Sequence, residues 1–200
     1  MNWNIVKGAC LALLPVAGTL KAQEKPNIVV ILADDLASNE ISCYGGKNLK
    51  TPNIDRIAEE GIRFTNNFAS CAMSVPIRAS LYTGLYPARH GSYQNHKISY
   101  SDIKSVTYYL PQAGYRVGRA GKTHTVPKSV FNFEKVPGFE ENCIAVTADY
   151  TVDGIRDFMR QDSPFCLFVC STLSHAPWTC GNKDEFDADK VILPPNCVDN

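Results

Sequence analysis

Two uninterrupted apolar runs of strand length constrain the fold of this chain more than any other feature. The first covers residues 27–33 and is rich in Val and Ile, and the second covers residues 164–170. Runs without polar alternation are typical of strands buried on both faces, which occur where helices cover both sides of a parallel sheet. The sequence therefore predicts an α/β fold with a mostly parallel sheet flanked by helices.

Cap and turn residues divide the rest of the chain. Thr51 and Pro52 begin a short amphipathic helix that Gly61 ends, and the alternation over 62–68 predicts a half-buried strand. Residues 85–91 are predicted to be a loop because they contain Pro and Gly. Further periodic segments predict helices over 105–113 and 151–159 and a strand over 115–120. His90 and His96 do not have the sequence spacing of ligand residues, so both are predicted to be surface or loop residues.

Asp34 and Asp35 directly follow the first strand. In an open α/β sheet, ligands bind at the carboxyl ends of the strands. Two adjacent hard carboxylates at that edge suit Ca²⁺ or Mg²⁺ better than zinc, and the sequence has no Cys/His spacing typical of a zinc site. A solvated acidic turn is the simpler alternative, and the spacing alone leaves it open.

Ser74 precedes a run that is compatible with a helix. Pro76 suits a first helical turn, and Gly84 is a stop signal. The unpaired N–H groups and the positive end of the helix dipole therefore point toward Ser74, with Arg78 one turn further along. Such a site favours an anion, although a serine in this local pattern is more often a plain N-cap.

Two later strands also end in polar side chains that can carry chemistry. Lys122 and His124 follow the strand over 115–120, and His175 follows the strand over 164–170. The Gly-Lys-Thr at 121–123 is not a phosphate-binding P-loop, because no upstream glycine stands at the required spacing. Since parallel strands present their carboxyl ends at one edge, these side chains are expected to meet Asp34 and Asp35 there.

Net charge and the N-terminal segment indicate which partners and which location the protein has. The chain has 200 residues with 20 Lys and Arg against 20 Asp and Glu, so net charge provides no basis for binding nucleic acid or an anionic membrane. Residues 1–22 resemble a secretory signal peptide, with an apolar run too short for stable membrane insertion. We therefore expect an exported protein, periplasmic or secreted. Its seven remaining cysteines are an odd number, which leaves at least one unpaired within the chain.

The motif Ser-x-Pro-x-Arg that begins at Ser74, with the Leu-x-Thr-Gly that ends at Gly84, resembles the signature of the type I sulfatases. In that family a Cys or Ser at the first position is oxidised to formylglycine. The family usually has Ser or Ala where this chain has Ile77. The resemblance implies an alkaline-phosphatase-like fold and a serine-type site in which Ser74 is the formylglycine precursor.

The resemblance also implies roles for the other site residues. Asp34, Asp35 and residue 74 hold a divalent cation, which is Ca²⁺ by expectation, with Mg²⁺ as the alternative. Lys122 binds the sulfate oxygens, His124 contacts the formylglycine hydroxyl, and His175 contacts the sulfate and protonates the leaving group. The implied catalytic residues are Ser74, Arg78, Lys122, His124 and His175. The implied partners are a sulfated saccharide substrate and a formylglycine-generating maturation enzyme.

Several scaffold segments are similar to the heparan N-sulfatases, or sulfamidases. They are residues 78–81, 112–118, 130–133 and 180–181. We therefore assign residues 23–200 to the N-terminal part of a sulfatase catalytic domain. The family's later Asp-Asn pair and a further lysine do not occur before residue 200, so we expect an incomplete metal site, a truncated sheet and an inactive fragment.

Two other functional classes stay open. A metal-dependent phosphodiesterase or phosphatase of the wider superfamily would use Ser74 unmodified, since phosphoryl transfer needs no aldehyde to release its ester. A non-catalytic exported protein that binds sulfated glycans would retain the site without turnover. The state of Ser74 and the class of ester hydrolysed would distinguish the three.

Overall fold

The computed structural model describes residues 25–146, 150–185, 187–193 and Cys197. The predicted signal peptide, residues 1–22, lies outside these ranges. In the part of the chain that is described, none of the helices has the length and apolar character required to cross a bilayer.

Four parallel strands form one sheet in the order β1-β4-β2-β3. Their bounds are β1 Ile28–Ala33, β2 Arg116–Gly121, β3 Glu134–Val136 and β4 Phe165–Ser171. In register, Ala33 pairs with Ser171 and Gly121 pairs with Cys170, so the carboxyl ends of β1, β4 and β2 are level. The predicted parallel α/β sheet is therefore confirmed, and the second apolar run forms β4, one of its two inner strands.

Within the described ranges, five α-helices and four short 3-10 turns surround the sheet. The helices are α1 Pro52–Glu60, α2 Ser74–Thr83, α3 Pro87–His90, α4 Val106–Gln112 and α5 Asp153–Met159. The 3-10 turns are Ser38–Glu40, Ser42–Tyr44, Lys183–Glu185 and Ala188–Lys190. Gly84 ends α2 in the left-handed conformation, as the sequence predicts.

The two faces of β4 contribute to two separate hydrophobic clusters. On one face, Phe168 packs with Tyr82 of α2 and with Phe133. On the other face, Phe165 packs with Phe158 of α5. Helices α2 and α5 therefore lie on opposite sides of the sheet, and the first cluster anchors the helix that carries Ser74.

Three local predictions are wrong. Strand β1 is not buried on both faces, since Val29 and Ile31 are 47% and 67% exposed. This strand lies at the edge of the described sheet. Only its other face, with Ile28, Val30 and Leu32, packs on the core. Residues 62–68 form no strand. Their alternation has no neighbouring strand to pair with, and the large apolar side chains in the segment are exposed.

The third error is the loop over 85–91. It contains the short helix α3, whose last residue, His90, is completely buried. All seven cysteines of the described ranges are free, which agrees with the expectation of at least one unpaired thiol. They are Cys43, Cys71, Cys143, Cys166, Cys170, Cys180 and Cys197.

Candidate active site

Ser74 is the first residue of α2, and its hydroxyl has two neighbours from the predicted set. Its Oγ lies 3.4 Å from Arg78 Nε, one turn along the helix, and 3.2 Å from His124 Nδ1. The N-cap position is occupied by Met73, which makes no side-chain cap. Ser74 is therefore not an N-cap, and its hydroxyl faces the side chains of Arg78 and His124 rather than the helix backbone.

Asp34 joins two cationic side chains in the interior. Its Oδ1 accepts a hydrogen bond from Arg78 Nη2 at 3.0 Å, and its Oδ2 accepts one from Lys122 Nζ at 2.5 Å. All three side chains are buried. Burial by itself raises the pKa of Asp34, but the hydrogen bonds and charges of Lys122 and Arg78 outweigh it, so the pKa is lowered. Two cations around one carboxylate leave a net positive charge beside Ser74.

The level strand ends bring these residues together. Asp34 directly follows β1, and Lys122 directly follows β2, where its backbone N–H donates to Cys170 O at 3.1 Å. Gly121 makes this approach possible: its φ is +82°, and a Cβ there would lie 2.2 Å from Cys170 O. Only glycine fits so close a contact with the neighbouring strand. The convergence expected from the topology is therefore present for Asp34, Lys122 and Ser74.

His175 reaches the same edge from beyond β4. Its Nε2 lies 3.5 Å from Asp35 Oδ2. On the other side of the ring, Nδ1 is 2.7 Å from the carbonyl oxygen of Ala176, and it donates a hydrogen bond to that oxygen when it carries a proton. The Ser174 hydroxyl donates to the carbonyl of Asp34 at 2.7 Å, which ties this segment to the end of β1. Asp35 itself has a φ of +58° and an exposed carboxylate.

His124 is held in an unusual backbone conformation, with a φ of +46°. Burial, followed by the charges of Lys122 and Arg78, lowers the pKa of this imidazole below its ordinary value. His124 is therefore mainly neutral at pH 7, and a neutral imidazole whose Nε2 carries the proton can accept a hydrogen bond at Nδ1. That atom is the one facing Ser74.

The predicted metal ligands Asp34, Asp35 and Ser74 line one pocket of about 200 Å³. Carboxylate and hydroxyl oxygens are the hard donors that Ca²⁺ and Mg²⁺ prefer, so the donor chemistry fits such a cation. Across the described ranges, no group of three or more His, Cys, Asp or Glu residues is placed to hold a metal ion. A cation bound at Asp34 would compete with Arg78 and Lys122 for the carboxylate.

Three residues near the site were not predicted from the sequence. Asn95 Oδ1 accepts a hydrogen bond from the Val75 N–H at 3.0 Å, in the first turn of α2. The ring of His96 packs edge-on against that of His124, with centroids 5.8 Å apart. His90 lies behind α2, with Nε2 3.1 Å from Ser80 Oγ. The left-handed φ of +67° at His96 is visible only in three dimensions.

The fold and the site define an alkaline-phosphatase-like α/β protein that gathers a hydroxyl, cations and carboxylates at one edge of a parallel sheet. Residues 26–190 match the family model for Sulfatase. The chain belongs to the sulfatase family.

Individual relatives agree with this assignment. An ulvan-active sulfatase from Formosa agariphila is 38% identical over 161 residues, which are 78% of this chain and 31% of that protein. Human N-sulphoglucosamine sulphohydrolase is 34% identical over 185 residues, 87% of this chain and 36% of that protein. The chain spans about a third of the length of the curated relatives it matches.

A solved structure gives the same result in three dimensions. The structure of BT4656 in complex with its substrate D-glucosamine-2-N,6-O-disulfate superimposes with a TM-score of 0.65 at 31% identity. The match covers 78% of this chain and 36% of that one. The architecture around the site is therefore shared with a protein whose substrate is a sulfated amino sugar.

Proposed function

We propose that this chain is the part of a sulfatase catalytic domain that carries the nucleophile, and that the reaction is hydrolysis of a sulfate ester or N-sulfate on a saccharide. One observation carries the proposal: Ser74 Oγ lies within hydrogen-bonding reach of both Arg78 Nε and His124 Nδ1 at the start of α2. A helix N-terminus with adjacent cations favours a tetrahedral anion at that point.

The proposed nucleophile derives from Ser74 by oxidation to formylglycine, carried out by a maturation enzyme. The hydrated aldehyde supplies one hydroxyl to attack sulfur and a second whose deprotonation expels sulfate, a step that an unmodified serine lacks. Arg78 orients the attacking oxygen from 3.4 Å. His124, neutral and 3.2 Å away, accepts a proton as the ester is released.

The cations around Asp34 are proposed to stabilise the sulfuryl oxygens. Asp34, Asp35 and residue 74 would hold a divalent cation, Ca²⁺ by preference, which would supply Lewis-acid stabilisation of the same charge. Lys122 is 1% exposed. Within the described ranges, Asp34 is the one anion that forms an ion pair with it. A positive group fixed where charge develops contributes several kcal/mol to the barrier reduction.

His175 is the proposed acid for the leaving group. Its Nδ1 bond to the carbonyl of Ala176 fixes the ring, and its Nε2 faces the site beside Asp35. The proton goes from Nε2 to the saccharide oxygen or nitrogen as the bond to sulfur breaks, so the sugar leaves as a neutral alcohol or amine.

The proposed substrate is a sulfated glycan, with a sulfated amino sugar as the first choice. The support comes from the relatives named above, two of which carry N-sulfoglucosamine or a glucosamine disulfate in their descriptions. The protein is proposed to act after export, periplasmic or secreted, because residues 1–22 have the pattern of a signal peptide.

Mass spectrometry of the peptide containing Ser74, combined with turnover, tests the proposal. We expect loss of two hydrogens at residue 74 and, in a protein that contains the whole catalytic domain, release of sulfate from N-sulfated or 6-O-sulfated glucosamine that Ser74→Ala abolishes. Ser70→Ala, four residues upstream, is the matched control and should keep activity. An intact serine with turnover of phosphate esters would instead support the phosphatase alternative, and ligand binding without any turnover would support the non-catalytic one.

A further inference from the structure

The segment 92–99 forms a closed loop beside the start of α2. At its base, Ser92 Oγ and Ser99 Oγ are 2.7 Å apart, and the Ser92 hydroxyl lies 3.0 Å from the carbonyl of Lys97. Both serines are buried, and the Ser99 N–H donates to the carbonyl of Val126 at 3.0 Å. These contacts fix the base of the loop, so the side chains at its tip have defined positions.

Asn95, at the tip, acts on the helix that carries the nucleophile. Helix α2 has ten residues, and its own N-cap residue, Met73, offers no side-chain acceptor to the first N–H groups. Asn95 Oδ1 takes this role from 20 residues away, by accepting the Val75 N–H at 3.0 Å. The next residue, His96, packs on His124, so the loop contacts both the first turn of α2 and the imidazole that faces the Ser74 hydroxyl.

The chemical type of this cap has a consequence for an anionic ligand. An aspartate would accept the same hydrogen bond and would interact more favourably with the helix dipole. It would, however, place a negative charge beside Ser74 and reduce the positive potential of Arg78. The Arg78 guanidinium is buried, and its Nη1 has no hydrogen-bond partner in the described ranges. A neutral amide caps the helix while leaving that charge available.

We propose that Asn95 is a positioning residue of the active site: a neutral cap, supplied from the 92–99 loop, that fixes Ser74 at the start of α2 and preserves its attraction for sulfate. The claim that the ligand is sulfate rests on the proposed function. The claim that Asn95 caps α2 rests on the helix geometry alone. Asn95 acts through the Val75 N–H and through electrostatics, without contacting the reacting atoms.

Two substitutions separate the cap from the charge. Asn95→Asp keeps an acceptor of the same shape and adds a negative charge, while Asn95→Ala removes the acceptor. Gln94→Glu is the matched control, because it adds the same charge to the adjacent exposed residue, whose side chain has no hydrogen bond to α2 among the described contacts. Denaturant unfolding and calorimetric binding of inorganic sulfate are measured for each.

We expect Asn95→Asp to be at least as stable as wild type but to bind sulfate about tenfold more weakly, as a nearby like charge requires. Asn95→Ala should unfold more easily, and Gln94→Glu should match wild type in both measurements. The proposal is overturned if Asn95→Asp and Gln94→Glu bind sulfate equally well, or if Asn95→Ala loses no stability. A wild-type protein that binds no sulfate would reject the proposed function, and the order of unfolding stabilities would still test the cap.

Discussion

Lys122 and Asp34 form a buried ion pair between two strand ends, with Nζ 2.5 Å from Oδ2, although they are 88 positions apart in the chain. Arg78 binds the other oxygen of the same carboxylate. One aspartate therefore joins β1, β2 and α2, and the geometry of the site depends on its charge.

Asp34→Asn should destabilise the fold strongly. The substitution leaves two buried cations without their counter-charge, and breaking a buried pair by removing one partner costs about 3–5 kcal/mol. Urea denaturation of wild type and variant measures the difference in the free energy of unfolding.

The matched control for that experiment is Asp153→Asn. Its ion pair with Arg156 has the same 3.0 Å separation as Arg78–Asp34, but the side chains are 61% and 75% exposed. Exposed pairs contribute about 0–1 kcal/mol, so this variant should be nearly as stable as wild type. Equal losses for the two variants would contradict the central role of Asp34.

In a protein that contains the whole catalytic domain, His175→Ala should reduce turnover in a way that depends on the leaving group. For a saccharide sulfate, whose alkoxide or amide needs a proton, we expect kcat to fall roughly 10²–10⁴-fold, the usual contribution of a general acid. For 4-nitrophenyl sulfate the fall should be much smaller, because nitrophenolate leaves unprotonated. Steady-state kinetics on both substrates measure the ratio, and an equal fall on both would assign His175 to sulfate binding instead.

His90 predicts how stability depends on pH. Its side chain is completely buried, its Nδ1 accepts the Ser92 N–H at 3.1 Å, and burial lowers its pKa below the ordinary value of 6.5. The unfolded chain therefore takes up a proton first as the pH falls below 6.5, and the free energy of unfolding declines until the folded pKa is reached. The slope is at most about 1.4 kcal/mol per pH unit.

His90→Gln isolates that contribution, because glutamine keeps an N–H donor for Ser80 but does not titrate. Unfolding free energies measured from about pH 7.5 to about pH 5 should decline less steeply in this variant than in wild type. The lowered pKa of His124 affects both proteins in the same way. The difference between the two curves therefore measures the contribution of His90. Parallel curves would show that His90 does not titrate in this range.

The parts of the fold that could be predicted are those with a local signal. The apolar run of β4 and the Pro and Gly boundaries of α2 specify their own structure, and the strand ends then place Asp34, Lys122 and His175 at one edge. The alternation over 62–68 carries a similar signal but forms no strand, because a strand also requires a partner that sequence alone does not supply.

The parts that could not be predicted depend on contacts across the chain. Asn95 caps a helix that begins 21 positions earlier, so no capping pattern of adjacent residues reveals it. His90 is buried only because α3 packs against α2. The contact of His96 with His124 depends on a left-handed backbone angle at each of them.

The pairing of β1 with β4 has a consequence for how the protein acquires its site. Ile28 is aligned with Cys166 and Ala33 with Ser171, so the first described strand has no neighbour until almost the whole described chain is available. Such distant pairings form slowly, because the entropy cost of closing a long loop precedes any stabilising contact between the strands. We expect Asp34 to meet Lys122 and His175 only at the end of folding, so a chain interrupted before residue 171 would hold the nucleophile helix without its electrostatic surroundings.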